Sequence, residues 1–287
     1  MMKISSVYFM VAFFLFSCQK DDVVITTPDS FPLTDTIITD ISYGNNTAYK
    51  LDLGLPGNRT TDSKLVIVIH GGGWSSGDKA ALNFMTRGLK TRGFVVANIN
   101  YRLSPQSDDN YKMQMDDIDS VINFLNREAA FYTFGTQKIY LTGHSAGAHL
   151  SLSYAYTRNG NEKIKAVGGM ASPTNLLHAV YYNTVISAPL ITPYLGVPLL
   201  TSASVQRYKD CSPYYNVNSN TAPTILFQGD LDIVVQKEQA TFLAGVLNQN
   251  GVPVKVIIYP LTFHDWWSNG DFVKSTLDET TAWFNAH

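Results

Sequence analysis

Residues 143–147 read Gly-His-Ser-Ala-Gly, set between an apolar run, Lys138-Ile139-Tyr140-Leu141-Thr142, and an alanine-rich stretch from Ala146 to Ala155. Strand, sharp turn and helix in that order, with a serine at the apex, leave few folds open. A Gly-x-Ser-x-Gly turn of this kind holds its serine in a strained backbone conformation. Gly143 and Gly147 leave room where a Cβ would strike the neighbouring strand or helix. The turn lifts the Ser145 hydroxyl off the sheet, and the positive N-terminal end of the next helix points at it. Five residues alone are a weak signal; their context and their partners elsewhere in the chain make it a strong one.

The first partner is His70-Gly71-Gly72-Gly73-Trp74, which follows the β-branched run Leu65-Val66-Ile67-Val68-Ile69. Successive glycines leave backbone N–H groups free to face an anion. The N–H groups of Gly72, Gly73 and Ala146 are the expected donors to the oxyanion that forms when an ester carbonyl is attacked, each worth about 3 kcal/mol. No Lys-Ser/Thr follows the glycines as a phosphate loop requires, and their spacing does not fit a dinucleotide fingerprint.

An acid and a histidine follow the serine in chain order. The run Pro223 to Gly229 reads as a buried strand that delivers Asp230-Leu231-Asp232, and Val254 to Tyr259 as the next strand, delivering Pro260-Leu261-Thr262-Phe263-His264. Catalytic groups gather at the carboxyl ends of strands in such sheets. An imidazole with an ordinary pKa of about 6.5 is suited to take the Ser145 proton and return it to a leaving alcohol. Either aspartate is a candidate to fix its tautomer.

Strands and helices alternate along most of the chain. Ile37–Tyr43 and Ala48–Leu55 are expected as antiparallel strands joined at Gly44-Asn45-Asn46. After them come strand 65–69, a helix near Lys79–Thr91, strand 94–100, helix 113–130, the serine strand and helix, strand 164–169 and a last helix near 273–285. Such alternation predicts a parallel sheet covered by helices. Between Met170 and Ala222 the rhythm breaks, with five prolines and six tyrosines. That stretch is too long for an ordinary loop and is expected to form a small lid at about residues 170–222. No long hydrophobic lid helix is evident in it. Its tyrosines are suited to stack on sugar or aromatic rings, or simply to pack the lid on the core.

The pattern resembles the α/β-hydrolase superfamily, and more narrowly its branch of bacterial feruloyl-esterase-like carboxylesterases, hormone-sensitive-lipase-like esterases and kynurenine formamidases. His70–Trp74, Asn100-Tyr101-Arg102-Leu103-Ser104-Pro105, Gly143–His149, and Gly229–Asp232 with His264 carry the resemblance. It implies an α/β-hydrolase fold, a mostly parallel central sheet flanked by helices with a small lid insertion, over residues 34–287. It also implies oxyanion donors at Gly72 and Gly73. The Gly-x-x-Asp spacing usual in such relatives selects Asp232 over Asp230, which is left to cap its turn. The usual Gly-His-Gly around the histidine is Phe263-His264-Asp265 here, so the local loop should differ in shape.

Trp74, Trp266 and Trp267 lie beside motif residues and are candidate substrate contacts, although Trp74 is equally suited to anchor packing. His144 is another candidate contact, but it and His149 flank the elbow, where structural roles are favoured. His70 is expected to anchor the glycine loop, His178 to sit in a loop or cap, and Arg102 with Asp117 to brace the glycine loop as a pair. No His, Cys, Asp or Glu cluster has zinc spacing, so no metal or organic cofactor is expected. Cys211 reads as a plain buried thiol.

The chain opens Met1-Met2-Lys3, then runs apolar from Ile4 to Phe16 and reaches Ser17-Cys18. This reads as a secretory signal, too short to span a bilayer comfortably. Leu15-Phe16-Ser17-Cys18 resembles a bacterial lipobox. The expectation is a signal peptide over 1–17, a lipid on Cys18 that anchors the protein to a membrane, and a polar tether over 18–33. Gln19-Lys20-Asp21-Asp22 resembles a surface-export signal, which points to the outer membrane of a bacterial envelope. Formal net charge is −2 with no basic run, which gives nucleic-acid binding no support. Oligomeric state is not legible.

The sequence therefore predicts a serine carboxylesterase acting on a small ester or an esterified glycan, with acetyl or hydroxycinnamoyl groups on plant polysaccharide as the leading substrates. A peptidase or amidase of the same fold is the main rival. A non-catalytic binding protein on a hydrolase scaffold is a weaker one.

Overall fold

The computed structural model of the protein describes residues 30–105 and 109–287. The expected signal segment, Cys18 and most of the expected tether lie outside the described residues.

The strands are β1 (Thr36–Ser42), β2 (Lys50–Leu55), β3 (Leu65–Ile69), β4 (Val95–Ile99), β5 (Ile139–His144), β6 (Ile164–Met170), β7 (Thr224–Gly229) and β8 (Val254–Tyr259). They form one sheet in the order β1-β2-β4-β3-β5-β6-β7-β8. The pairs β1–β2 and β2–β4 are antiparallel, and the pairs from β4 to β8 are parallel.

The helices are α1 (Asn83–Lys90), α2 (Asn110–Tyr132), α3 (Ala146–Thr157), α4 (Leu176–Tyr182), α5 (Thr184–Leu195), α6 (Ser202–Asp210), α7 (Glu238–Gln249) and α8 (Gly270–Ala286), with 3₁₀ turns at Lys79–Leu82 and Pro213–Asn216. Strand β3 shows why its sequence has no polar alternation. Leu65, Ile67 and Ile69 enter the core shared with α2, α3, α7 and the lid, whereas Val66 and Val68 enter the core under α1 and α8. Both faces of the strand are dry, so every position is apolar. At the margin of the sheet β8 is only partly buried, and Lys255 on it pairs with Glu279 of α8.

Three features depart from expectation. First, α7 was not foreseen. Its buried side chains, Gln239, Ala240, Leu243 and Leu247, form a narrow stripe with a glutamine among them, and Gly245 weakens the helical signal. Second, the lid contains three helices, one of them the 12-residue and largely apolar α5, which carries Pro189 and Pro193 inside it. Helix-interior proline argues against a helix on propensity alone, so the lid read as irregular. Third, the last residues of the expected tether are docked. The buried Arg59 guanidinium donates to the carbonyls of Tyr132 (2.6 Å), Pro32 (2.7 Å), Pro56 (3.1 Å), Thr34 (3.2 Å) and Phe31 (3.4 Å), and the Phe31 ring lies against Phe131 and Tyr132. A single arginine thus fixes the segment that its proline content made look free.

Candidate active site

Strand β5 delivers Ser145 at φ 52°, in the left-handed region where a non-glycine residue is strained. The strain is held by packing on all sides. A Cβ on Gly147 would lie 2.1 Å from the Ile69 carbonyl oxygen, and one on Gly143 would lie 2.5 Å from the Gly147 carbonyl carbon. Only glycine allows β3, β5 and α3 to approach this closely. The Ser145 N–H is tied to the Met170 carbonyl at 2.8 Å. Although Ser145 stands at the N-cap of α3, its side chain makes no capping bond, which leaves the hydroxyl to other partners.

That partner is His264, beyond the end of β8. Its Nε2 is 3.0 Å from Ser145 Oγ, and its Nδ1 is 2.8 Å from Asp232 Oδ2. Asp232 stands just past β7 with its side chain out of contact with solvent. Its Oδ1 accepts the N–H groups of Val234 (2.8 Å) and Val235 (2.9 Å), and its Oδ2 also accepts Gln228 Nε2 (2.9 Å). Both carboxylate oxygens are thus held in place by donors, which fixes the orientation of the group toward His264. Asp230 instead accepts the Thr262 N–H at 3.2 Å, a turn-capping contact.

The glycine loop lies against the same serine. Gly72 has φ 120°, and a Cβ there would meet the Ser76 carbonyl oxygen at 2.1 Å. The N–H groups of Gly72, Gly73 and Ala146 donate to no other described residue. His70 donates from Nδ1 to the Gly71 carbonyl at 2.6 Å and stacks on Tyr101, whose hydroxyl returns a bond to the His70 carbonyl at 3.1 Å. Behind them Arg102 Nε meets Asp117 at 2.8 Å, and Gln114 Nε2 donates to the carbonyls of Trp74 (2.9 Å) and Arg102 (2.8 Å). The Arg102–Asp117 pair is thus formed, and Gln114 links its backbone to that of the glycine loop.

A cavity of about 270 Å³ opens on Ser145 and His264. Gly72, Gly73, Trp74, His144 and Ala146 line it from the sheet side; Ala179, Asn183, Ser187, Leu190 and Ile191 line it from the lid, and Val234 and Val235 from the loop after β7. Sequence reasoning named none of these lid and loop residues. The one available signal was the Ser187, Leu190, Ile191 spacing of i, i+3, i+4, and Pro189 masked it.

The four candidate substrate contacts divide. Trp74 reaches the cavity wall but is buried. Its ring stacks on Tyr194 of the lid at 4.4 Å, and its Nε1 donates to His149 Nδ1 at 3.2 Å. His149 Nε2 donates in turn to the Cys211 carbonyl at 2.7 Å. Trp74 therefore locks the lid to the core, as its alternative reading proposed. His144 lines the cavity, and its Nε2 donates to the His264 carbonyl at 2.9 Å. Trp267 stands behind His144, with ring centroids 5.1 Å apart, and does not line the cavity. Trp266 has to be reassigned: it is core, packed on Tyr259, with its Nε1 donating to Thr276 Oγ1 at 2.9 Å. Being next to the histidine in sequence does not place a side chain on the histidine's side of the loop.

Burial sets the charge of the flanking imidazoles. Desolvation, with the neighbouring His264 second, lowers His144 to a pKa of about 4, and desolvation lowers His149 to about 4. Both are neutral at physiological pH, and His149 has to be, since its Nδ1 accepts from Trp74 while its Nε2 donates to the Cys211 carbonyl. Burial pushes the Cys211 thiol up to about 12, which makes it inert. Among the described residues no group of three or more His, Cys, Asp or Glu side chains converges as a metal site.

Sheet order, lid position and the serine turn together define an esterase-like α/β hydrolase. The profile of the BD-FAE family matches residues 51–247, and the chain belongs to that family, a hormone-sensitive-lipase-like group of α/β-hydrolase esterases. Over 254 residues the chain is 27% identical to a probable isoprenylcysteine alpha-carbonyl methylesterase, ICMEL1, of Arabidopsis thaliana, covering 83% of this chain and 53% of that one. The chain spans about half the length of the curated relatives it matches. Among solved structures, a truncated carbohydrate esterase from gut microbiota superposes with a TM-score of 0.74 at 22% identity, covering 90% of this chain and 99% of that one. A bifunctional GH43-CE protein of Bacteroides eggerthii gives 0.76 at 23% identity, covering 88% and 38%.

Proposed function

We propose that the protein is a serine carboxylesterase that removes short acyl groups, acetyl before hydroxycinnamoyl, from plant polysaccharide or oligosaccharide. The observation that carries this reading is the unbroken chain Asp232–His264–Ser145, with hydrogen-bond distances of 2.8 and 3.0 Å, on a strained serine beside the glycine loop.

In this reading His264 Nε2 takes the hydroxyl proton as Ser145 Oγ attacks the ester carbonyl. Asp232 keeps Nδ1 protonated and stabilises the imidazolium. The N–H groups of Gly72, Gly73 and Ala146, with the N-terminal end of α3, hold the oxyanion. His264 then protonates the departing alcohol. Water, deprotonated by the same imidazole, attacks the acyl-enzyme; the bond from Ser145 Oγ to the acyl carbon breaks, His264 returns the proton to Oγ, and the acid leaves. No step calls for a cofactor.

Size supports the short acyl group. A cavity of about 270 Å³ sits below the range of about 300–1,000 Å³ usual for larger organic ligands. A hydroxycinnamoyl group would have to reach out through the mouth. The glycan half of the proposal draws on the carbohydrate-esterase names of two structural neighbours and on the proposed location. There, the charged start, the short apolar run and the lipobox-like Leu15–Cys18 support a lipid anchor on Cys18 in a bacterial envelope, with the outer membrane favoured.

Mass spectrometry of acids released from native acetylated, feruloylated xylan, with Ser145→Ala as control, tests the substrate. Acetate released by the wild type alone supports the proposal. Release of neither acid, with a small acetate ester still cleaved, would remove the polysaccharide and leave the esterase. Peptide cleavage without ester turnover would favour the amidase rival.

A further inference from the structure

Helix α4 is a wall shared by two cavities. Its Ala179 and, just beyond its end, Asn183 face the catalytic cavity. His178, Tyr181 and Tyr182 line a second, open cavity of about 490 Å³, completed by Asn175, by Tyr215 from the 3₁₀ turn after α6 and by three aliphatic side chains. Rings gather there from separate elements. His178 lies 4.4 Å from Tyr182 and 5.0 Å from Phe242 of α7, and Tyr181 lies 5.0 Å from Tyr182.

These rings are exposed. Tyr181 is 64%, Tyr182 67% and Tyr215 42% accessible, in a molecule that fully buries the lid tyrosines Tyr194 and Tyr208. A cluster of exposed aromatic surface of this kind marks an interaction site. The lining carries no Asp, Glu, Lys or Arg, and burial holds the His178 imidazole below its ordinary pKa, hence neutral. Flat apolar faces edged with hydroxyls, an amide and an uncharged imidazole match an uncharged polyol. Charge lies at the rim, where Lys209 Nζ stands 5.6 Å from the Tyr215 ring centroid, and the lining itself supplies no ion-pairing partner for a charged ligand. The second cavity is also coupled to the first. Gln239 lines the catalytic cavity, accepts the N–H groups of Thr174 (2.9 Å) and Asn175 (2.7 Å), and reaches His178 Nδ1 at 3.3 Å.

We propose that this cavity is a subsite for a neutral glycan chain, in which Tyr181, Tyr182 and Tyr215 stack on the C–H faces of pyranose rings and their hydroxyls meet the sugar hydroxyls. The glycan enters over α4, so that an acyl group a few sugar residues along is presented to Ser145. The proposal deepens the polysaccharide-esterase reading and rests on it for the link between the two cavities.

Binding and turnover are measured apart. Full-length Ser145→Ala protein is run in native gels containing unesterified xylan, mixed-linkage glucan or galactomannan. Retardation by at least one is expected. Adding Tyr181→Ala and Tyr182→Ala to Ser145→Ala should weaken it about tenfold, with an unchanged Tm as the check on folding. In the Ser145 background the same pair should raise KM on acetylated xylan about tenfold, with kcat retained. Tyr→Phe at both positions should keep most of the retardation, because the ring faces remain. Retardation by none of the three glycans, or equal retardation with and without the two rings, would overturn the subsite, whether or not xylan is deacetylated. Ring-dependent retardation without acid release would keep the subsite and reject the polysaccharide ester as substrate.

Discussion

At the scale of single residues, His144 is the group whose role depends most on the folded geometry. Its Nε2–H holds the backbone carbonyl of His264, so it acts on the reaction through the position of another residue. Removing that donor should loosen the catalytic imidazole without touching the ester. His144→Phe is expected to lower kcat about 10- to 100-fold with KM little changed. His144→Gln, which keeps an N–H donor, should recover much of the loss; equal losses in both would show that the ring packing and not the hydrogen bond matters. The buried imidazoles also make stability depend on pH. His144 and His149 have pKa values of about 4 in the folded protein, against about 6.5 when unfolded. Between those values the unfolded state binds more protons, so stability rises with pH through this window and is lost as pH falls. Each group should remove about 3 kcal/mol once the pH is below 4. Urea denaturation at pH 7, 5.5 and 4.5 should show a steady drop in midpoint; a flat profile would contradict the neutral assignments.

At the scale of elements, the lid sets what the site accepts. Leu190 of α5 approaches so near the glycine loop that a Cβ on Gly73 would sit 3.1 Å from its Cδ2. It is partly exposed, so shortening it need not disturb the fold. Leu190→Ala should enlarge the acyl end of the cavity and raise the kcat/KM ratio of hexanoate to acetate esters about tenfold; an unchanged ratio would place the acyl group elsewhere. This part of the molecule was also the least legible in the sequence. The elements that meet at Ser145 were readable because their constraints are local: β3 and β5 are unbroken apolar runs, and glycine is the only residue that fits at 143 and 147. The order serine, aspartate, histidine gave the partners, and the geometry now puts them within hydrogen-bond distance. The lid helices were hidden because their stability is tertiary, resting on contacts such as Tyr194 on Trp74, while Pro189 and Pro193 contradict the helix locally. Trp266 failed for a similar reason, since sequence adjacency to His264 does not tell which side of a loop faces the core.

At the scale of the whole molecule, the N-terminal segment and the site lie at opposite ends of the sheet. Ser145, Asp232 and His264 follow the carboxyl ends of β5, β7 and β8, whereas Phe31 docks where α2 ends and the chain turns toward the start of β5. A lipid on Cys18, as proposed, would join the domain at the end of the sheet away from the mouth of the cavity. Cys18→Ala should move the protein from membrane to soluble fraction with kcat/KM on a small ester unchanged; membrane retention would reject the anchor. Ester hydrolysis, as proposed, runs through Ser145, which intact-mass analysis with peptide mapping after fluorophosphonate treatment would reveal. One adduct per chain is expected, on Ser145, with turnover lost in step, no adduct at that position in Ser145→Ala, and a fall in that variant's kcat of about 10⁴-fold or more. Turnover that survives complete labelling of Ser145, or near-normal activity in Ser145→Ala, would contradict it.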